Sequence, residues 1–185
     1  MCIRDRDNIR IKYKHAANST AVLSYPDAHF NLARPGISLY GLAPFEGAEK
    51  EIDLKPVMQL KTKIVFIKRV KKGTSISYGR TWKAEKDSVI ATLPIGYADG
   101  YNRLLSNRAE VLICGKRVPI VGRVCMDMCM ADATSLPDVK VGEEVVLIGS
   151  QGKERITADE IAKIIGTISY EVVCGISKRV PRITN

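Results

Sequence analysis

The sequence predicts a mainly β protein with some α: a β-barrel-like C-terminal domain preceded by the strand-and-helix remnant of a parallel α/β fold. Three observations lead there. From residue 57 onward, apolar and polar residues alternate with a period of two, the spacing of strands that bury one face. Glycines punctuate that alternation at short intervals, as the turns between antiparallel strands require. The order strand, helix, strand, loop is confined to the first forty or so residues, a segment too short to close a sheet or barrel by itself.

Residues 1–6, MCIRDR, resemble translated sequencing-adapter sequence, so the natural chain is expected to enter at about Asp7. Residues 7–42 form the α/β remnant. Within it NIRIKY at 8–13 reads as a short strand, and HAANSTAVLSY at 15–25 as a short helix capped by Asn18 and Ser19 and stopped by Pro26. LARPGISLYG at 32–41 reads as a strand end and turn. Residues 43–56, polar and carrying Gly47 and two prolines, are a linker. The β domain over 57–185 opens with VMQLKTKIVF, where Met58, Leu60, Ile64 and Phe66 share one face and Gln59, Lys61 and Lys63 the other. Further strands are expected at 88–95, 109–114, 116–122, 124–132 and 142–149. One helix is well signalled in TADEIAKIIG: Thr157 and Glu160 stand in capping-box spacing, Ile161, Ile164 and Ile165 share an apolar face, and Gly166 is a stop.

Composition narrows the function classes. At 45% hydrophobic and 26% charged residues the 185-residue chain can bury a core, which excludes disordered and collagen-like proteins. A net charge of +9 admits an anionic partner, but the basic residues are scattered, and three Phe with one Trp leave little to stack on bases. No nucleic-acid partner is expected. Cys2, Cys114, Cys125, Cys129 and Cys174 are odd in number and form no CxxC pair, so they read as reduced thiols of a cytoplasmic protein. No apolar run approaches the roughly 20 residues of a membrane span, and the start lacks a signal peptide's apolar stretch. His15 and His29 stand in no metal-ligand spacing, and no P-loop or nucleophile elbow occurs.

Three segments can carry chemistry. NSTA with ARPGI joins a serine at a helix start to a glycine turn, an arrangement that either presents N–H groups to a phosphate or simply caps and turns the chain. SISYGRTW offers Tyr78, either a packed tyrosine or a base. A side chain with an ordinary pKa of about 10 must sit beside positive charge to act as a base. LPIGYADGYNR and VGRVCMDMCM gather Tyr97, Asp99, Tyr101, Arg103, Arg123 and Asp127 among glycine turns, either as a site or as arginine–aspartate pairs over a methionine-filled core.

Together HAANS, ARPGISLYG, SYGRTW, PIGYADGYNR, VGRVCMDM, VGEEVVLIG, ISYEVVCGI and RVPR resemble, in order and approximate spacing, the C-terminal half of the alanine racemase family, pyridoxal-phosphate (PLP) enzymes, from Ile9 nearly to Ile183. The resemblance implies a truncated (β/α)8 barrel, of which this chain holds the last strand-and-helix portion, followed by the family's whole C-terminal β domain. It also implies roles. Arg34 would face the pyridine nitrogen with His15 and Asn18 as its supports, while Ser19, the backbone of Gly36 and Ile37, and the Tyr170 hydroxyl would hold the phosphate. Tyr78 would be one of two bases on opposite faces of the substrate's α-carbon, reaching the site of a second copy in a homodimer. Met126 would give its N–H to the substrate carboxylate beside Tyr97 and Asp127, and Arg103, Arg123 and Ile168 would line the entrance corridor. The substrate would be alanine, racemised in the cytoplasm for peptidoglycan.

The resemblance has one gap. The family's Lys-Ala-Asn-Ala-Tyr-Gly-type motif, which carries the PLP lysine, does not occur in these residues, nor does the arginine that supports the tyrosine. This polypeptide alone is therefore expected not to racemise alanine. The alternatives are a racemase for serine or a broader amino-acid set, or a stand-alone β domain that binds a partner.

Overall fold

The computed structural model describes residues 10–45, 47 and 52–184. The chain divides into two compact units, Met1–Val57 and Met58–Asn185. The adapter-like segment 1–6, and the first two residues of the strand expected at 8–13, lie outside the described residues.

In the first unit, α1 (Ser19–Ser24) begins where expected, because the Asn18 side chain accepts the Ala21 N–H at 3.0 Å and satisfies one of the helix's orphan donors. Pro26 opens a separate 3-10 turn, Pro26–Ala28. A second 3-10 turn, Ile37–Tyr40, closes ARPGISLYG. The expected strand at 8–13 is absent over its described residues, and the strand end before that turn does not form. A strand exists only through a ladder with a neighbour, and here the Asn31 side chain and an isolated backbone bond take these groups instead. Asn31 Nδ2 donates to the Lys12 carbonyl at 2.8 Å, its Oδ1 accepts the Lys14 N–H at 2.6 Å, and the Arg34 N–H goes to the Ala17 carbonyl at 2.9 Å. Ile11, Tyr13, Tyr25, Phe30, Leu39 and Tyr40 are exposed.

The second unit contains β1 (Leu60–Lys63), β2 (Phe66–Val70), β3 (Ser75–Ile76), β4 (Trp82–Lys83), β5 (Ser88–Leu93), β6 (Glu110–Ile113), β7 (Lys116–Pro119), β8 (Cys129–Asp132), β9 (Glu144–Gln151) and β10 (Glu154–Ile156), then α2 (Ala158–Ile165) and α3 (Ser169–Cys174). One sheet runs β1-β9-β6-β7 with β10 also on β9, and a second runs β2-β5-β8, all neighbours antiparallel. The two sheets share both seams. The Ile64 N–H donates to the Glu143 carbonyl and the next amide, Val65, to Thr92, so adjacent residues join different sheets. At the other seam Ile120 bridges Ala131 and the Val121 N–H reaches the Met130 carbonyl at 2.8 Å. This closes the barrel-like ring and leaves few free edges.

That seam corrects the single strand expected in VMQLKTKIVF. Ile64 is fully buried, but the chain changes sheets there, and Phe66 falls on an exposed face. The strand expected at 124–132 forms only from Cys129, because the carbonyls of Cys125 and Met126 accept the amides of Tyr97 and Ala98 rather than those of a ladder. Val145 to Ile148 in β9 and Val111 to Ile113 in β6 are consecutively buried, so both faces of these central strands are covered.

Thr157 caps α2 by accepting the Glu160 N–H at 3.0 Å. Glu160 does not complete the capping box. Its carboxylate instead receives both Nη atoms of Arg117, whose Nε reaches Glu154 at 3.1 Å and whose Nη1 reaches Glu110 at 3.1 Å. One guanidinium thus ties β6, β7, β10 and α2. Replacing it (Arg117→Ala) strands three neighbouring carboxylates and is expected to destabilise the second unit by about 2 kcal/mol, between exposed and buried ion pairs. Urea unfolding monitored by Trp82 fluorescence would measure this.

Candidate active site

In the first unit Ser19 is buried, and its Oγ accepts the N–H groups of Gly36 at 2.7 Å and Ser38 at 3.4 Å. Its own hydroxyl hydrogen has no acceptor among the described residues, and neither has the buried amide of Ile37 at the head of the second 3-10 turn. A Cβ built on Gly36 would find one neighbour, Ser19 Oγ at 3.7 Å, so the space beside these donors is open. Spare donors in a turn around an open notch are the chemistry of an anion cradle. Arg34 is exposed and makes no hydrogen bond with His15 or Asn18. Asn18 is occupied in capping α1, and His15 is exposed.

In the second unit a cavity of about 870 Å3 is lined by Tyr78, Tyr97, Arg103, Arg123, Met126 and Asp127, so the structure gathers six of the expected residues on one surface. Ile168 and Tyr170 do not line it; they stand exposed at the start of α3. Ser77, Cys125 and Met128 join the lining without having been foreseen.

Backbone geometry explains this gathering. Ser77 sits at φ 67 and ψ 177, a region that L residues other than glycine rarely occupy. Its Oγ donates to the Arg123 carbonyl at 2.9 Å. Opposite it lies Gly122, at φ +75, where a Cβ would stand 2.6 Å from Ser77 Cβ and 2.9 Å from the Ile76 carbonyl oxygen. The loop after β5 is pressed on the same strip: a Cβ on Gly96 would meet the Cys125 carbonyl oxygen at 2.2 Å. Ile76, Trp82 and Met130 pack on the buried cluster of Val70, Ala84, Ile90 and Val121, which anchors the β3–β4 hairpin that carries Tyr78.

Arg179, not foreseen as a site residue, bridges two acids. Its Nη2 donates to Asp127 at 2.7 Å and its Nε lies 3.4 Å from Asp99, whose other oxygen accepts the Gly96 N–H at 2.9 Å. The arginine–aspartate pairing open in the sequence is therefore real, while the methionines split: Met130 packs inward, and Met126 and Met128 stay exposed. Arg103 and Arg123 have no carboxylate partner among the described residues, so the cavity carries spare positive charge suited to a small carboxylate. The Met126 amide also donates to no described group. Tyr101 is core, its phenol pushed well up by burial and its hydroxyl without a partner among the described residues.

The thiols differ in the same physical terms. Burial pushes Cys129 up, and burial with the nearby Glu143 carboxylate raises Cys114 despite its exposure. The thiolate is the reactive form, so at neutral pH iodoacetamide is expected to label Cys174 ahead of Cys114 and to leave Cys129 untouched until unfolding. Raising the pH should speed labelling of Cys114, as peptide mass spectrometry would show. Gly96→Ala is expected to cost about 2 kcal/mol or more by overpacking, read from the denaturation midpoint.

The model of the alanine racemase C-terminal domain matches residues 57–184, and that of the N-terminal domain matches residues 2–44. The chain is 52% identical over 179 residues to alanine racemase 1 of Clostridium acetobutylicum, covering 96% of this chain and 46% of the relative. It is 57% identical over 179 residues to alanine racemase 2 of Caldanaerobacter subterraneus subsp. tengcongensis, covering 97% and 46%. The crystal structure of alanine racemase from Bacillus anthracis with bound L-Ala-P superimposes with a TM-score of 0.91 at 46% identity, over 97% of this chain and 46% of that one. The chain spans just under half the length of these relatives, and a model of the C-terminal domain fits more than half of it; the chain belongs to the alanine racemase family.

Proposed function

We propose that the chain is the C-terminal part of a PLP-dependent alanine racemase that interconverts L- and D-alanine in the cytoplasm and supplies D-alanine for peptidoglycan. The observation that carries this reading is the cavity itself. It sets a tyrosine, a Met126 backbone amide that donates to no described group and two arginines without carboxylate partners among the described residues around one space. The donor set of the first unit fits a phosphate: the Ser19 hydroxyl hydrogen and the Ile37 amide, neither with an acceptor among the described residues, would hold it, with Arg34 facing the pyridine nitrogen. PLP, when bound, supplies an electron sink that makes the substrate's α-proton removable.

The chain's own residues then divide the work. Tyr78 moves the proton between its phenolic oxygen and the α-carbon, taking it from L-alanine and returning it when D-alanine is converted. The Met126 amide receives the substrate carboxylate, and Arg103 and Arg123 draw the anion in. Tyr97 and Asp127 narrow the passage, which favours a small side chain. Tyr78 is 77% exposed in its own unit, which supports a role in a site completed by a second copy of the full enzyme. The second base and the PLP lysine come from a barrel half absent from these residues, so the activity belongs to the longer protein.

The test joins this chain to a barrel half carrying the lysine motif and compares it with its Tyr78→Phe variant. Racemisation is expected to fall by about 10²- to 10⁴-fold, the usual worth of a positioned acid–base group. In deuterated water D-alanine should still exchange its α-proton at the other base without inverting. A variant that racemises normally would overturn the assignment, and so would a joined wild type inactive on alanine.

A further inference from the structure

Tyr78 projects from its unit, and its hydroxyl bonds to none of the described residues, so the path of its backbone largely sets where the phenol stands. Just before it, Ser77 is fastened to the Arg123 carbonyl. Just after it, Thr81 is held by a residue with no role above, Asn107. Asn107 Nδ2 donates to Thr81 Oγ1 at 3.1 Å and to the Thr81 carbonyl at 3.5 Å, while its Oδ1 accepts the Gly122 N–H at 2.5 Å. We infer that Asn107 is a positioning residue for Tyr78, clamping the tyrosine loop to the strip that carries Arg123 and Met126. The inference rests on the racemase reading for its kinetic consequence, but not for its structural one.

Residue chemistry makes the choice specific. Asn107 has φ 58, a left-handed conformation that asparagine tolerates better than most residues. The position needs an acceptor for one loop and a donor for the other on a single planar group. Aspartate lacks the donor, glycine lacks both, and a flipped amide would set N–H against N–H. The same turn places Arg103 four residues earlier, and Ser106 Oγ accepts the Val124 N–H at 2.9 Å, so the clamp joins all three loops of the cavity.

Three variants separate positioning from general stability. Asn107→Gly keeps the backbone conformation and removes both bonds, Asn107→Asp keeps the Gly122 bond alone, and Thr81→Val removes the hydroxyl acceptor from an exposed residue. On the 185-residue chain, amide hydrogen exchange across residues 77–81 should accelerate at least tenfold in Asn107→Gly and less in the other two, with exchange in β9 unchanged. On the joined enzyme, kcat for alanine should fall tenfold or more in Asn107→Gly while KM changes less than threefold, and Asn107→Asp should recover part of the loss. Unchanged exchange at 77–81 in both Asn107→Gly and Thr81→Val would overturn the inference. So would faster exchange with an unchanged kcat, or losses confined to KM. If Asn107→Gly fails to fold, Thr81→Val alone decides. A joined wild type without racemase activity would defeat the racemase reading and leave the exchange result to judge the clamp.

Discussion

Among the points in the second unit where loops touch backbone with no room for a side chain, two, at Gly122 and Gly96, border the cavity. The rim of the cavity depends on both. At Gly122 the neighbour is the Ile76–Ser77 backbone, and at Gly96 it is the Cys125–Met126 peptide. These contacts let the amides of Tyr97 and Ala98 reach the carbonyls of Cys125 and Met126, and let Ser77 reach Arg123. Tyrosine, arginine and methionine from three distant stretches consequently face one space. The unfavourable conformation of Ser77 persists because its surroundings over-determine it.

Behind this rim the barrel-like ring is a rigid mount. Its central strands are buried on both faces, its seams are closed by backbone hydrogen bonds, and Arg117 binds the strands to α2 through three carboxylates. Loops carrying function on such a scaffold are the usual division of labour in β proteins. The first unit is built differently. Several of its described backbone groups are satisfied by turns and by the side chains of Asn18, Ser19 and Asn31, while many of its large apolar side chains are exposed.

Where local pattern and burial agree, the sequence was legible. β5, β6 and β7 lie within their expected spans, β9 overlaps its own and runs two residues further, and α2 is capped by Thr157 and Gly166 as expected. Short elements carried no such signal: β3 and β4 have two residues each, and α3 starts from Ile168, which has no side chain able to cap. The break at Ile64 was hidden because alternation reports the face of a strand and not the sheet it joins. Glu160 went to Arg117, a partner 43 positions away that no local spacing reveals. For the site, the likeness of ordered motifs supplied names that local chemistry left open. Ser77, Asn107 and Arg179 escaped because their roles come from loops meeting in space.

The seam at Ile64 also governs timing. β1 pairs with β9, whose Glu144 carboxylate accepts from the Lys61 ammonium 83 positions earlier, so the first strand of the ring waits for nearly the last before it has a neighbour on that side. Contacts of such long separation slow folding. On a ribosome the β2–β5 pair can zip early, while Leu60 and Ile64 stay unsheltered until β9 has emerged. During that interval the nascent chain presents an apolar strand edge, the kind of surface chaperones engage.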